Sequence, residues 1–184
     1  MEPAATELFT AVDYRAMPEG PPYYQLVEGE LIMSPSPNRF HQIVARSVFR
    51  LLDDYVRRKQ LGEVYFAPLD VFLAADTVVQ PDIFFVSVAN RHLLVDEGVH
   101  GSPDLVIEII SPFNGRLEKK RKRPLYAQHG VREEWLIEPE LEQIHRYDFA
   151  TDLAKPVRIV DSDESFETSL LPGLTIKVAD VFAR

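Results

Sequence analysis

The chain has 184 residues, enough for one compact domain, and its 46% hydrophobic content excludes wholesale disorder. It contains no cysteine, which excludes disulfides, thiolate zinc sites, iron–sulfur clusters and cysteine nucleophiles. Twenty basic residues against 29 acidic ones give a net charge of −9, which argues against a protein that coats nucleic acid through a globally positive surface.

No charge-free run approaches the ~18–20 residues of a membrane span. The opening MEPAATELF lacks the basic-then-apolar order of a signal peptide. A single cytoplasmic domain is expected. The first element is a short helix from about Ala4 to Met17 with Thr6 as its cap, ended by Pro18, Pro21 and Pro22. YYQLVEGELIMSP reads as a hairpin turning at Glu28-Gly29, and SPSPN delivers the chain to an Asn38 cap. The strongest helix follows, with Ile43, Val44, Val48, Leu51, Leu52, Tyr55 and Val56 at three- and four-residue steps and Gly62 beyond its end. From Gly62 to Val88 the pattern is β-like, with a turn at Ala75-Asp76; Arg91–Gly101 is weakly helical.

DLVIEIISP is an almost unbroken apolar run between Pro103 and Pro112, the mark of a strand buried on both faces. GRLEKKRKRPLYAQHGV is a helix interrupted by Pro124; either it kinks or it begins near that proline, leaving Lys122 outside. Three strands, EEWLIEP, QIHRYDF and PVRIV, precede the closing SLLPGLTIKVADVF. The class is mixed α/β (α+β).

Three acids stand alone among apolar neighbours. Glu108 lies inside the buried run, Asp82 follows a proline in VVQPDIFFV, and Asp70 sits in APLDVFL. Burying an ionised carboxylate costs several kcal/mol unless it is paired or binds a metal. Glu108 is therefore half of a structural ion pair, a residue near the strand end that reaches water, or a functional group. Oxygen ligands of this kind suit Mg²⁺ or Mn²⁺ and metal-assisted phosphodiester hydrolysis. The segment Arg116–Arg123 reads RLEKKRKR, with Arg116, Lys119, Lys120, Arg121, Lys122 and Arg123 in eight positions. It is either a solvated helix face or a grip on a phosphate backbone. Glu118, Lys122 and Tyr126 recur every four residues and share one helix face.

The succession VEGELIMSPSP…H, APLDVFL…VVQPDIFFV, PDLVIEIISP and E-xxx-K-xxx-Y-xxx-GV-xxxWLIEP resembles the Uma family of bacterial restriction endonuclease-like proteins, in the PD-(D/E)xK nuclease superfamily. The resemblance runs from about Tyr14 to the closing segment. It implies a mixed β-sheet flanked by helices, with Asp82 and Glu108 as the acidic pair. The superfamily lysine normally lies two residues past the acid, where this chain has Ile110. In this family Lys122, on the following helix, takes its place, with Glu118 where relatives commonly carry aspartate. His41 matches the family histidine and is either a hydrogen-bonded residue at the core edge or part of the site. Glu30 matches the acid of the family's Gly-Glu pair.

The activity implied is Mg²⁺- or Mn²⁺-dependent cleavage of DNA. Asp82 and Glu108 hold the metal with Asp70 bridging or beside it, Lys122 acts on water or transition-state charge, and Arg116–Arg123 holds the phosphate backbone. A homodimer formed through the apolar C-terminal stretch would cut two strands. The alternative is a non-catalytic nucleic-acid-binding or assembly module of the same fold, motivated by Ile110 and Pro124. A carboxylate-pair hydrolase acting on sugars ranks last, because it leaves Lys122 and the basic run without a role.

Overall fold

A computed structural model describes residues 8–18, 20–34, 36–111 and 115–183, with the backbone alone over 115–120. In chain order the elements are α1 (Ala11–Arg15), β1 (Tyr24–Val27), β2 (Glu30–Met33), α2 (Arg39–Lys59), β3 (Gly62–Phe66), β4 (Val71–Ala74), β5 (Thr77–Val79) and β6 (Ile83–Ser87). A 3₁₀ turn at Val88–Leu93 leads to β7 (Leu94–Val95), β8 (Gly98–His100) and β9 (Leu105–Ile109). Then come α3 (Gly115–His129), β10 (Glu133–Glu138), β11 (Gln143–Asp148), β12 (Arg158–Val160), β13 (Ser165–Phe166), β14 (Ile176–Lys177) and α4 (Val178–Phe182). Among the described residues these strands form two six-stranded sheets, ordered β2-β1-β5-β4-β8-β7 and β12-β11-β10-β9-β6-β3, and one small β13-β14 pair.

The second sheet is the middle layer, and strand periodicity explains its sequence. Successive side chains point to opposite faces. Ile83, Phe85, Leu105, Ile107 and Ile109 enter one core with Val44, Val48, Leu52 and Val56 of α2. Phe84, Val86 and Val106 enter the other, with Val71, Val79 and Val99 of the first sheet and Leu125 and Tyr126 of α3. Strands covered on both sides need apolar residues at every position, so β6, β9 and β10 lose their alternation. β9 and β10 run parallel, and α3 supplies the crossover between them.

The expected hairpin is present, with positive φ at both Glu28 and Gly29, as a tight two-residue turn requires. The long helix is capped by the Asn38 side chain, which accepts from His41 N at 2.8 Å. It ends on Gln60 in the left-handed conformation, ahead of Gly62.

Three expectations change. The first helix begins at Ala11 under a Thr10 capping box, because Asp13 answers the Thr10 backbone; Thr6 lies outside the described residues. The weakly helical stretch becomes a 3₁₀ turn and a β7–β8 hairpin, since Gly98 lets β8 settle beside the Asp70 carbonyl, 2.3 Å from where a Cβ would stand. The C-terminal apolar stretch is no dimer face: Leu171, Leu174, Val178, Val181 and Phe182 are buried in the core shared with α2. Pro124 lies inside α3, so Lys122 is helical.

The start of β3 depends on the absence of a side chain. A Cβ at Gly62 would lie 2.1 Å from the Val86 carbonyl oxygen across the β3–β6 pair. Gly62→Ala is expected to cost about 2–4 kcal/mol, read as a lower urea midpoint at unchanged slope. A wild-type midpoint would refute this close packing.

Candidate active site

Glu108 has the same strand parity as Val106, so its side chain points toward α3 and the first sheet. Asp82 shares its parity with Phe84. The antiparallel register Ile83↔Ile107, carried one step further, sets Asp82 opposite Glu108. Asp82 is held firmly: Oδ2 accepts from Ile109 N at 2.7 Å and its carbonyl accepts from Ala67 N at 3.1 Å. Its Oδ1 stands 3.4 Å from His41 Nε2. The His41 Nδ1 is buried without a hydrogen-bond partner among the described residues. Asp82 lies in a cleft of about 280 Å³ lined also by Tyr23, Gln25, His41, Phe66 and Gln80.

Lys122 descends from α3 into the layer beneath this cleft. Its Nζ is 2.7 Å from Glu108 Oε1, and neither side chain has any exposed surface. Nζ also donates to Gln25 Oε1 at 3.2 Å. The Tyr126 hydroxyl, one turn along the helix, donates to the same Glu108 oxygen at 2.6 Å. Burial, followed by the charge of Glu108 and this hydrogen bond, pushes the phenol well above its ordinary pKa, so Tyr126 remains a donor.

The anchoring continues into the first sheet. Gln25 Oε1 also accepts from Gln80 N at 2.9 Å, and the Gln25 amide donates to Ser34 Oγ at 2.9 Å. The Gln80 side chain donates to Asp70 Oδ1 at 2.8 Å, beside the Tyr14 hydroxyl at 3.1 Å. Asp70 therefore sits at the outer end of the network, where it contacts Tyr14 and Gln80. Through Gln80, which lines the same cleft as Asp82, it stands behind that cleft.

The basic run divides. Arg121 donates to Glu30 at 2.9 Å on the protein surface, so Glu30 serves α3 and lies apart from the acidic pair. Arg123 overturns its expected role at the phosphate backbone. It turns inward, donates to Glu134 at 2.5 Å and stacks 3.6 Å from the centre of the Tyr147 ring. Its place in the helix, one residue after the buried Lys122, carries it toward β10 and β11. The side chains of Arg116, Glu118, Lys119 and Lys120 lie outside the described residues.

The sequence reading passed over Gln25, Gln80 and Glu134. The glutamines gave no signal, because an uncharged amide in a β-hairpin or beside a proline is unremarked. Glu134 had one: it shares its parity with Leu136 in EEWLIE and so faces the same layer as Glu108. Burial raises its pKa to about 7, against the lowering pull of Arg123.

Among the described residues no group of three or more histidines, aspartates and glutamates is arranged to hold a metal ion. The donor set of Asp82 and Glu108 nevertheless fits a hard cation, since Mg²⁺ is commonly held by one or two carboxylates and keeps several waters. With no thiolate in the chain, the chemistry favours Mg²⁺ or Mn²⁺ over softer metals.

Two mixed sheets, with α3 crossing between the parallel strands β9 and β10, make this a mixed α/β protein. A family profile described as "Uma2: Putative restriction endonuclease" matches residues 11–179, and the chain belongs to that family. Its fold is similar to that of an Anabaena variabilis protein described as a "putative nuclease belonging to DUF820". The TM-score is 0.79 at 20% identity, over 95% of this chain and 98% of the other. No curated protein sequence matches.

Two predictions come from the buried charges. Lys122→Met should destabilise by about 3–5 kcal/mol because it leaves Glu108 without its ammonium, and adding Glu108→Gln should recover part of that loss. A double-mutant cycle in urea checks this; additive losses would show that the pair is not coupled. Glu134 binds its proton more tightly in the folded chain, where its pKa is about 7, than in the unfolded chain at 4.5. Its contribution to stability is greatest below about pH 4.5 and is lost as pH rises through 7. Melting temperatures from pH 5 to 8 should fall less steeply in Glu134→Gln than in wild type; parallel curves would contradict this.

Proposed function

We propose that this protein is a Mg²⁺-dependent endonuclease that hydrolyses DNA phosphodiester bonds. The observation that carries the reading is the Lys122 ammonium 2.7 Å from Glu108, on the strand beside Asp82. The superfamily lysine missing at Ile110 is thereby supplied from α3, which favours catalysis over an inactive binding module.

Asp82 and Glu108 would hold the metal, which supplies Lewis-acid stabilisation of phosphoryl charge and lowers the pKa of a bound water. Asp82, fixed by Ile109 N, presents its carboxylate to the cleft where a phosphate would enter. Lys122, beside Glu108, would offset negative charge that grows on the phosphate oxygens. Tyr126 and Gln25 orient the carboxylate and the ammonium, with Asp70 acting at one remove through Gln80. His41, beside Asp82, steadies the outer carboxylate oxygen. Cutting both strands of a duplex favours two copies of the site, and the buried C-terminal segment is not the surface that would join them. Among the described residues no helix is long and apolar enough to cross a membrane.

Plasmid nicking tests the reading. Wild type with Mg²⁺ or Mn²⁺ should convert supercoiled plasmid, and EDTA should stop it. Asp82→Asn and Glu108→Gln should each lower the rate at least about 100-fold while keeping wild-type circular dichroism. Nicking that survives both substitutions, or metal-independent nicking, would sink the assignment.

A further inference from the structure

The described members of the basic run are spent on the protein's own carboxylates or buried. Arg121 meets Glu30, Lys122 meets Glu108, and Arg123 meets Glu134. Free positive charge lies instead on α2. Arg39, Arg46 and Arg50 are exposed, and none of the three forms an ion pair among the described residues.

Helical geometry ties these arginines to the cleft. Gln42 lines it, and Arg46 and Arg50 continue the Gln42 row at four-residue steps. Arg39 stands one turn before, close to His41 and the Asn38 cap. At 1.5 Å per residue the three span about 16 Å, the scale of a few nucleotides rather than of one ion. The exposed Phe66 ring, also at the cleft, rests edge-on against Phe49 of the same helix with centroids 4.8 Å apart. The row stops where the acids begin: Asp53 and Asp54 follow Arg50, and Asp53 takes Arg57 at 3.4 Å. In a chain of net charge −9, three unspent guanidinium groups on one face beside the cleft make a strip complementary to a polyanion.

We infer that the exposed face of α2 bearing Arg39, Arg46 and Arg50 holds the phosphate backbone of the DNA whose scissile bond enters the cleft. This rests on the nuclease reading above. The contacts are to phosphates and carry no base sequence, so they set the register of the strand on the enzyme. The exposed arginines of α2, and not Arg121, Lys122 and Arg123 of α3, then account for salt-sensitive affinity.

The test compares two triple variants of equal charge on the same helix. Arg39→Ala/Arg46→Ala/Arg50→Ala removes the strip. Arg57→Ala/Arg58→Ala/Lys59→Ala removes the same charge from the far end. Binding of a short fluorescent DNA duplex is measured by anisotropy with EDTA across a salt series, alongside plasmid nicking with Mg²⁺. The first variant should bind about tenfold or more weakly at physiological salt. Its slope of log affinity against log salt should fall by about 0.9 for each arginine that meets a phosphate. The second variant should match wild type in both. Equal losses in the two variants, or a wild-type slope in the first, would overturn the inference while wild-type nicking leaves the nuclease reading standing. A wild-type protein that neither binds nor nicks DNA would overturn both.

Discussion

One buried charge pair organises this molecule. Lys122 and Glu108 meet out of reach of water, where each ion alone would cost several kcal/mol to hold. The pair is tolerable only because every neighbour is committed to it. Tyr126 donates to the carboxylate, and Gln25 accepts from the ammonium while its own amide is fixed by Gln80 and Ser34. Sheet, helix and hairpin each contribute one partner, so the position of α3 relative to both sheets follows from electrostatics as much as from apolar packing. Arg121 and Arg123 extend this on either side by reaching Glu30 and Glu134, so that three consecutive cations pin the helix to three different strands.

The middle sheet makes such a site possible. With both faces covered, each strand must choose a face for every residue, and a buried acid needs partners on the face it enters, as Glu133 of opposite parity finds in Arg146, Trp135 and Thr168. Asp82, Glu108 and Glu134 all share the face that receives α3. That arrangement constrains parity and apolarity more than identity, since cores accept hydrophobic exchange at constant volume. A fold retained at 20% identity in the Anabaena variabilis structure agrees with this tolerance.

How much of this could be read beforehand follows the same physics. Glu108 and Asp82 were visible because a single acid in an apolar run is expensive and needs a reason. The strands and α2 were visible from their periodicity. Spacing set Lys122 on one helix face with Glu118 and Tyr126, but its role as the superfamily lysine entered through family resemblance alone. The sign of Arg123 was evident but its direction was not: that depends on the phase of α3 against β10 and β11. Asp70 looked equivalent to Asp82 because both are lone acids beside strands, yet the two belong to different sheets. Gln25 left no trace, because hydrogen-bonding amides carry neither charge nor pattern.

The separations along the chain have a consequence for how the protein is made. Gln25 and Lys122 are 97 residues apart, Asp82 and the Ile109 amide 27, and Lys122 must wait for α3 to cross between β9 and β10. Contacts of such span form late, because loop closure must be offset before they contribute. A chain still emerging from the ribosome can possess the two acids while lacking the cation that faces them. Assembly of the charge pair thus coincides with the docking of α3 and with completion of the middle sheet.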